Sequence, residues 1–102
     1  MDSYYKEYLL KKNSTEKSSV TKWEILQNVR RDLVGEIQAV IEYDEHLHNT
    51  SDIVAKQTWE HIKNEELVHV GELLGLLNYL DASQKKYVEE GLKEFNTMLN
   101  NQ

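Results

Sequence analysis

Two side chains interrupt an apolar ladder in the second half of this chain. Between Asn49 and Leu80, apolar residues recur at Trp59, Ile62, Leu73, Leu76 and Leu80. The two steps missing between Ile62 and Leu73 are filled by Glu66 and His69, so the whole series keeps the three-or-four spacing of one helix face. A carboxylate and an imidazole therefore point where leucines would. Burying a charge without a partner is costly, and something must compensate both groups. Glu-x-x-His at i, i+3 sets both side chains on one side of a helix, so a shared metal ion is the economical compensation. A satisfied buried polar network is the plainer alternative.

A third polar step strengthens the metal reading. Thr21-Lys22-Trp23-Glu24 has the form of a capping box, with Thr21 as N-cap and Glu24 three residues on. From there a helical pattern runs to about His48, with the ladder Leu26, Val29, Leu33, Glu36, Val40, Tyr43 and Leu47. Position 36 is again a glutamate in an apolar stripe. Asn49-Thr50-Ser51-Asp52 has turn chemistry and no apolar residue. The second helix should start at Ser51 or Asp52 and run to about Leu80. Two long helices joined by so short a loop fold back as an antiparallel hairpin. Asp81-Ala82-Ser83-Gln84 can cap a third, shorter helix with Tyr87, Val88, Leu92, Phe95 and Leu99 on one face. Residues 1–20 carry Tyr4, Tyr5, Tyr8, Leu9 and Leu10 followed by a polar stretch without period, and read as an N-terminal arm before a helical domain over 21–102. The expected fold class is all-α.

Composition narrows the chemistry. The 102 residues suit one small domain, with no proline, four glycines and no alternating strand pattern. With no cysteine there is no disulfide, thiolate zinc site, iron–sulfur centre or thiol nucleophile. The net charge of -6 disfavours a nucleic-acid partner and mildly favours cations. No apolar run approaches the roughly 18 residues of a membrane span. The start Met1-Asp2-Ser3-Tyr4-Tyr5 lacks the apolar core of a signal peptide, so the expected location is cytoplasmic or a compartment filled from the cytoplasm.

A two-helix hairpin has little to bury its stripes against, since bundles need about four helices around a core. The simplest closure is a two-fold homodimer, which completes a four-helix bundle. It also doubles the ligands: one chain offers Glu36, Glu66 and His69, and two chains offer four glutamates and two histidines, the set of a di-metal carboxylate centre. Glu36 lies 13 residues before Asn49 and Glu66 lies 14 after Asp52. In a hairpin these come level, about 20 Å from the turn at about 1.5 Å per residue. Oxygen and imidazole donors without thiolate suit iron or manganese, and spacing alone would also admit zinc. Glu65, His46, His48, His61 and the acidic run Glu42, Asp44, Glu45 read as solvated.

At Glu36, Tyr43 and Glu65-Glu66-x-x-His69-Val70-Gly71-Glu72-Leu73-Leu74, the chain resembles the encapsulated ferritins, the short two-helix members of the ferritin and rubrerythrin superfamily. The resemblance spans roughly residues 28–95. It implies an all-helical fold and a di-iron ferroxidase centre between two subunits, with two irons per dimer. It further implies dimers assembled into a ring, and oxidation of Fe(II) by dioxygen or peroxide. The protein would be cargo of an encapsulin shell that stores the iron, so that its location would be the inside of such a nanocompartment. On that resemblance Glu36, Glu66 and His69 are the iron ligands, and Tyr43 is a hydrogen-bond partner behind them. Two departures stand out. Some members carry further acids beside the first-helix ligand, where this chain has Gly35 and Gln38, leaving Asp32 or Glu65 as weaker substitutes on an iron entry route. Members often carry a shell-docking extension, and no such tail follows here before Gln102. Two other functions fit the same residues: a rubrerythrin-like peroxide reductase, which would need an external electron donor for want of cysteines, and a non-enzymatic helical adaptor.

Overall fold

The computed structural model describes residues 21–102; the arm expected over 1–20, with its tyrosines, lies outside the described residues. The described chain is all-α: helix α1 (Lys22–His48), helix α2 (Ile53–Leu80) and helix α3 (Ala82–Asn100), with no strand among the described residues. The capping box closes as the sequence predicts. Glu24 donates its backbone N–H to the Thr21 hydroxyl at 3.1 Å, and its carboxylate accepts from the Thr21 backbone at 3.2 Å. At the second helix start Asp52 accepts from Ala55 N–H at 2.8 Å. Each such cap satisfies backbone donors that have no intrahelical partner and is worth about 1 kcal/mol.

The turn of 49–52 sends α2 back along α1. Cross-helix pairs record the antiparallel register: His69 meets Glu36, Lys63 meets Asp44 at 3.1 Å, and Arg30 meets Asp81 at 3.6 Å. The seam uses the predicted α1 ladder, with Leu26 and Val29 buried and Leu33, Glu36, Val40, Tyr43 and Leu47 half-buried. The α2 ladder needs one correction. Leu76 is 42% exposed, and Leu77, at 3%, takes the core step. Both leucines satisfy a three-or-four spacing between Leu73 and Leu80. One residue is about 100° of helix rotation, and only position 77 turns toward Leu26 and Val29. The apolar core is small and sits at the end of the hairpin away from the turn, where Leu26, Val29 and Leu77 are joined by Ile25, Leu33, Leu73 and Leu80.

Asp81 both ends α2 and caps α3, accepting from Gln84 N–H at 3.1 Å. Arg30 of α1 clamps this corner by pairing with Asp81 and donating to the Gln84 side chain. Beyond Gln84, every residue of α3 is exposed. The described chain measures 53 × 43 × 15 Å with a radius of gyration of 18.3 Å, against about 12 Å for a compact domain of this length. A helix with its side chains is about 10–12 Å across, so the fold is a single layer of helices.

The Leu77 assignment is checked by urea unfolding of metal-free protein. Leu77→Ala should cost about 2–4 kcal/mol, and Leu76→Ala clearly less. Equal losses would place the seam one residue earlier.

Candidate metal centre

Midway along the hairpin the three polar steps converge. Glu36 comes from α1; Glu66 and His69 come from successive turns of α2, where the i, i+3 spacing puts both on the side facing α1. His69 Nδ1 stands 3.5 Å from Glu36 Oε1 and 3.8 Å from Glu66 Oε2. One donor atom from each residue lies within 4.8 Å of the others, and this is the only group of three or more such donors among the described residues. The glutamate side chains are 23% and 20% exposed, and that of His69 is 49% exposed. Glu36 Oε2 is buried with no hydrogen-bond partner. An unpartnered carboxylate oxygen is expensive in an apolar seam, and a cation at the centre of the three donors would satisfy it.

The cluster forms the floor of an open cavity of about 770 Å³ lined by Arg31, Asp32, Gly35, Glu36, Glu66, His69, Glu72 and Leu73. Four carboxylates against one guanidinium give the cavity an excess of negative charge, which draws cations. Asp32 is the acid beside the first-helix ligand that the sequence allowed; Glu65 is not part of the lining and pairs instead with His61 at 3.3 Å on the exposed flank. Gly35 lines the cavity at its open side, where a Cβ would meet nothing within 4 Å.

Glu72, quoted above only as part of the motif, and Arg31 were not assigned to the site from the sequence. The available signal for Glu72 was its position three residues after His69, one more turn along the same flank of α2. Tyr43 stands apart from the three donors, two turns further along α1, or about 10 Å. Its ring meets His46 edge-on at 5.9 Å between centroids, and His46 in turn packs against Trp59 at 4.8 Å.

The two broad faces of the hairpin differ. On the cavity side are Asp32 and Gly35 of α1 with His69 and Glu72 of α2. At about 100° per residue, Val34, Ile37 and Ile41 fall on the opposite flank of α1, and Leu67 and Leu74 on the opposite flank of α2. All five are exposed. The layer thus has a polar face holding the cluster and an apolar face behind it.

No family model matches the chain, and no curated protein matches it either. Among solved structures it is similar to the crystal structure of an encapsulated ferritin domain from Pyrococcus furiosus, at 27% identity and a TM-score of 0.72, over 79% of this chain and 82% of that one. The chain has an encapsulated-ferritin-like fold.

Metal binding by the cluster is measurable directly. Losing even an outer partner of a metal ligand costs about 10–100-fold in affinity, so Glu36→Ala or His69→Ala should weaken anaerobic Fe(II) binding by at least that factor in calorimetric titration. Glu65→Ala should leave the affinity within about threefold, because its carboxylate faces His61. Equal binding by all three variants would remove the cluster from consideration.

Proposed function

We propose that this chain is a ferroxidase that takes Fe(II) as substrate and oxidises it at a di-iron centre shared between two copies, for iron storage and detoxification. The observation that carries this reading is the convergence of Glu36, Glu66 and His69, with their donor atoms within 4.8 Å of one another and a buried Glu36 oxygen left without a partner. The likeness to an encapsulated ferritin domain supports it. All-oxygen and imidazole donors fit iron, and the set has no thiolate that would favour another metal.

Three donors are too few to enclose one metal ion, let alone two. The cluster lies on the face of a single helical layer, half-exposed at His69. A second copy laid across that face by a two-fold axis would supply the same three donors again. The four glutamates and two histidines of the pair are the ligand set of ferritin-like di-metal bundles. Gly35 in the cavity lining and the half-buried Ala39, one turn further along α1, are small enough to let the partner helices approach closely.

In that arrangement each residue has a defined task. Glu36 and Glu66 hold two cations at short separation and offset their mutual repulsion with carboxylate charge. His69 supplies one neutral donor per iron, so the site does not over-neutralise the cation. The bound pair gives up one electron from each iron to dioxygen or peroxide, at positions that the protein leaves open. Asp32 and Glu72 at the rim attract incoming Fe(II) by their charge. Tyr43, two turns along α1 and packed against His46, is given no part in holding the ligands within its own chain. The apolar face formed by Val34, Ile37, Ile41, Leu67 and Leu74 gives each dimer a second surface for further copies, as a ring requires. The inside of an encapsulin shell is the proposed setting, on the likeness to an encapsulated domain alone. No helix among the described residues is long and apolar enough to cross a membrane.

Native mass spectrometry before and after anaerobic Fe(II) addition tests the shared site. The expected species are even-numbered oligomers carrying about two irons per pair of chains. In stopped-flow oxidation, Glu36→Ala and His69→Ala should each lose the fast phase. A chain that binds no iron, or variants that oxidise it at the parent rate, would make the cluster a structural polar network.

A further inference from the structure

We infer that Arg31 governs release of the oxidised ion: its fixed positive charge, in the lining of the cavity, limits how much more tightly the site holds a trivalent product than a divalent substrate. The inference rests on the ferroxidase reading above and extends it to the one guanidinium of the lining.

Arg31 shares the cavity with Asp32, Glu36, Glu66 and Glu72, yet its charge is not cancelled by any of them at close range. None of the ion pairs within 4 Å among the described residues includes it. Its side chain donates only to the amide oxygen of Asn28, at a long 3.4 Å. The helix positions three and four residues away, where a carboxylate would pair with it, hold Gln27, Asn28, Val34 and Gly35. The neighbouring arginine is used differently: Arg30 pairs with Asp81 and ties down the start of α3. Of two adjacent guanidiniums, one is a structural clamp and the other stands among the acids of the site. Arg31 lies five residues before Glu36 on α1, about 7.5 Å along the axis. That is within the Debye length of about 8 Å at physiological ionic strength. A guanidinium does not lose its proton in a protein, so this charge is constant.

The energy between an ion and a fixed charge is proportional to the charge of the ion. Each carboxylate of the lining therefore favours a trivalent ion over a divalent one, and four of them together would retain the product. Arg31 acts in the opposite sense. It weakens the hold on both ions, and on the logarithmic scale of affinity it weakens the product about one and a half times as much as the substrate. Retention then rests on the short-range bonds of Glu36, Glu66 and His69, and the oxidised ion leaves sooner for the next pair.

Anaerobic titrations of the full-length protein with Mn(II) and with Tb(III) read the two charge states without any oxidation, with Glu36→Ala protein as the blank for surface sites. At low ionic strength Arg31→Gln should tighten Mn(II) by at least about fourfold, the effect of a unit charge on a divalent ion about 10 Å away in the dielectric of bulk water. Tb(III) should tighten by at least about eightfold, the same change raised to the three-halves power. Arg31→Glu, which reverses the charge, should tighten Mn(II) by about the square of the Arg31→Gln factor. Arg31→Lys, which keeps the charge, should bind both ions as the parent does. Added salt should shrink every difference, and circular dichroism should show all the variants as helical as the parent. In aerobic oxidation of excess Fe(II), Arg31→Gln should fall behind the parent after the first pair of ions.

Unchanged affinities in Arg31→Gln would overturn the inference and make Arg31 a solvated surface residue. Equal factors for the two ions, or an Arg31→Lys protein that behaves like Arg31→Gln, would also overturn it, because either traces the effect to shape and not to charge. Later turnovers at the parent rate would remove Arg31 from product release. A parent protein that binds neither ion above the Glu36→Ala blank is a different result: it would overturn the ferroxidase reading, and this inference with it.

Discussion

Everything in the hairpin depends on tolerating two carboxylates and an imidazole in the seam where α1 meets α2. Two carboxylate charges about 5 Å apart near a protein surface repel by about 3 kcal/mol, and a buried oxygen of Glu36 adds the cost of an unmade hydrogen bond. The small core of Leu26, Val29 and Leu77, at the end away from the turn, must hold the helices together against this. A cation between the donors reverses the sign of the electrostatic term, so the residues that weaken the empty seam would strengthen the loaded one. The same logic explains why α1 and α2 are long: the cluster lies midway, with apolar ladder on both sides to fix its register.

The second constraint is thickness. A single layer of helices has two broad surfaces and can bury only the line between neighbours. Leu76 on the cavity side and the five-residue apolar patch behind it are exposed for this reason. These positions are apolar in a chain that is otherwise charged and acidic, and such patches on a small protein mark contact surfaces.

Much of this architecture could be read from residue spacing. The capping box at Thr21, the turn at 49–52 and the cap at Asp81 fix the helix limits to within a residue or two, because each satisfies backbone donors with a short polar side chain. Glu36, Glu66 and His69 were visible as polar steps in apolar ladders, and counting residues from the turn placed them level. The choice between Leu76 and Leu77 was not legible, because two adjacent leucines both fit a three-or-four period and only the phase of the packed partner decides. Glu72 and Arg31 escaped for a related reason. Each is a charged residue on a flank, like many solvated ones, and only the cavity geometry shows that both face the cluster.

The three donors are unequally exposed. His69 is half open, while the two glutamates beside it are largely covered. The covered side of the cluster is the one formed by α1 and α2; the open side is the polar face of the layer. Among the described residues no element lies over that face, and α3 leaves the hairpin at the far end, where Arg30 ties down its opening turn. In the proposed dimer the second copy would provide that cover. The surface that would meet it is charged apart from Leu76, so it gains little from hydrophobic burial alone. A cation held between the donors would supply cohesion there, whereas the apolar back face would need none. Helix phase thus places a charged surface and an apolar one on opposite sides of the same layer.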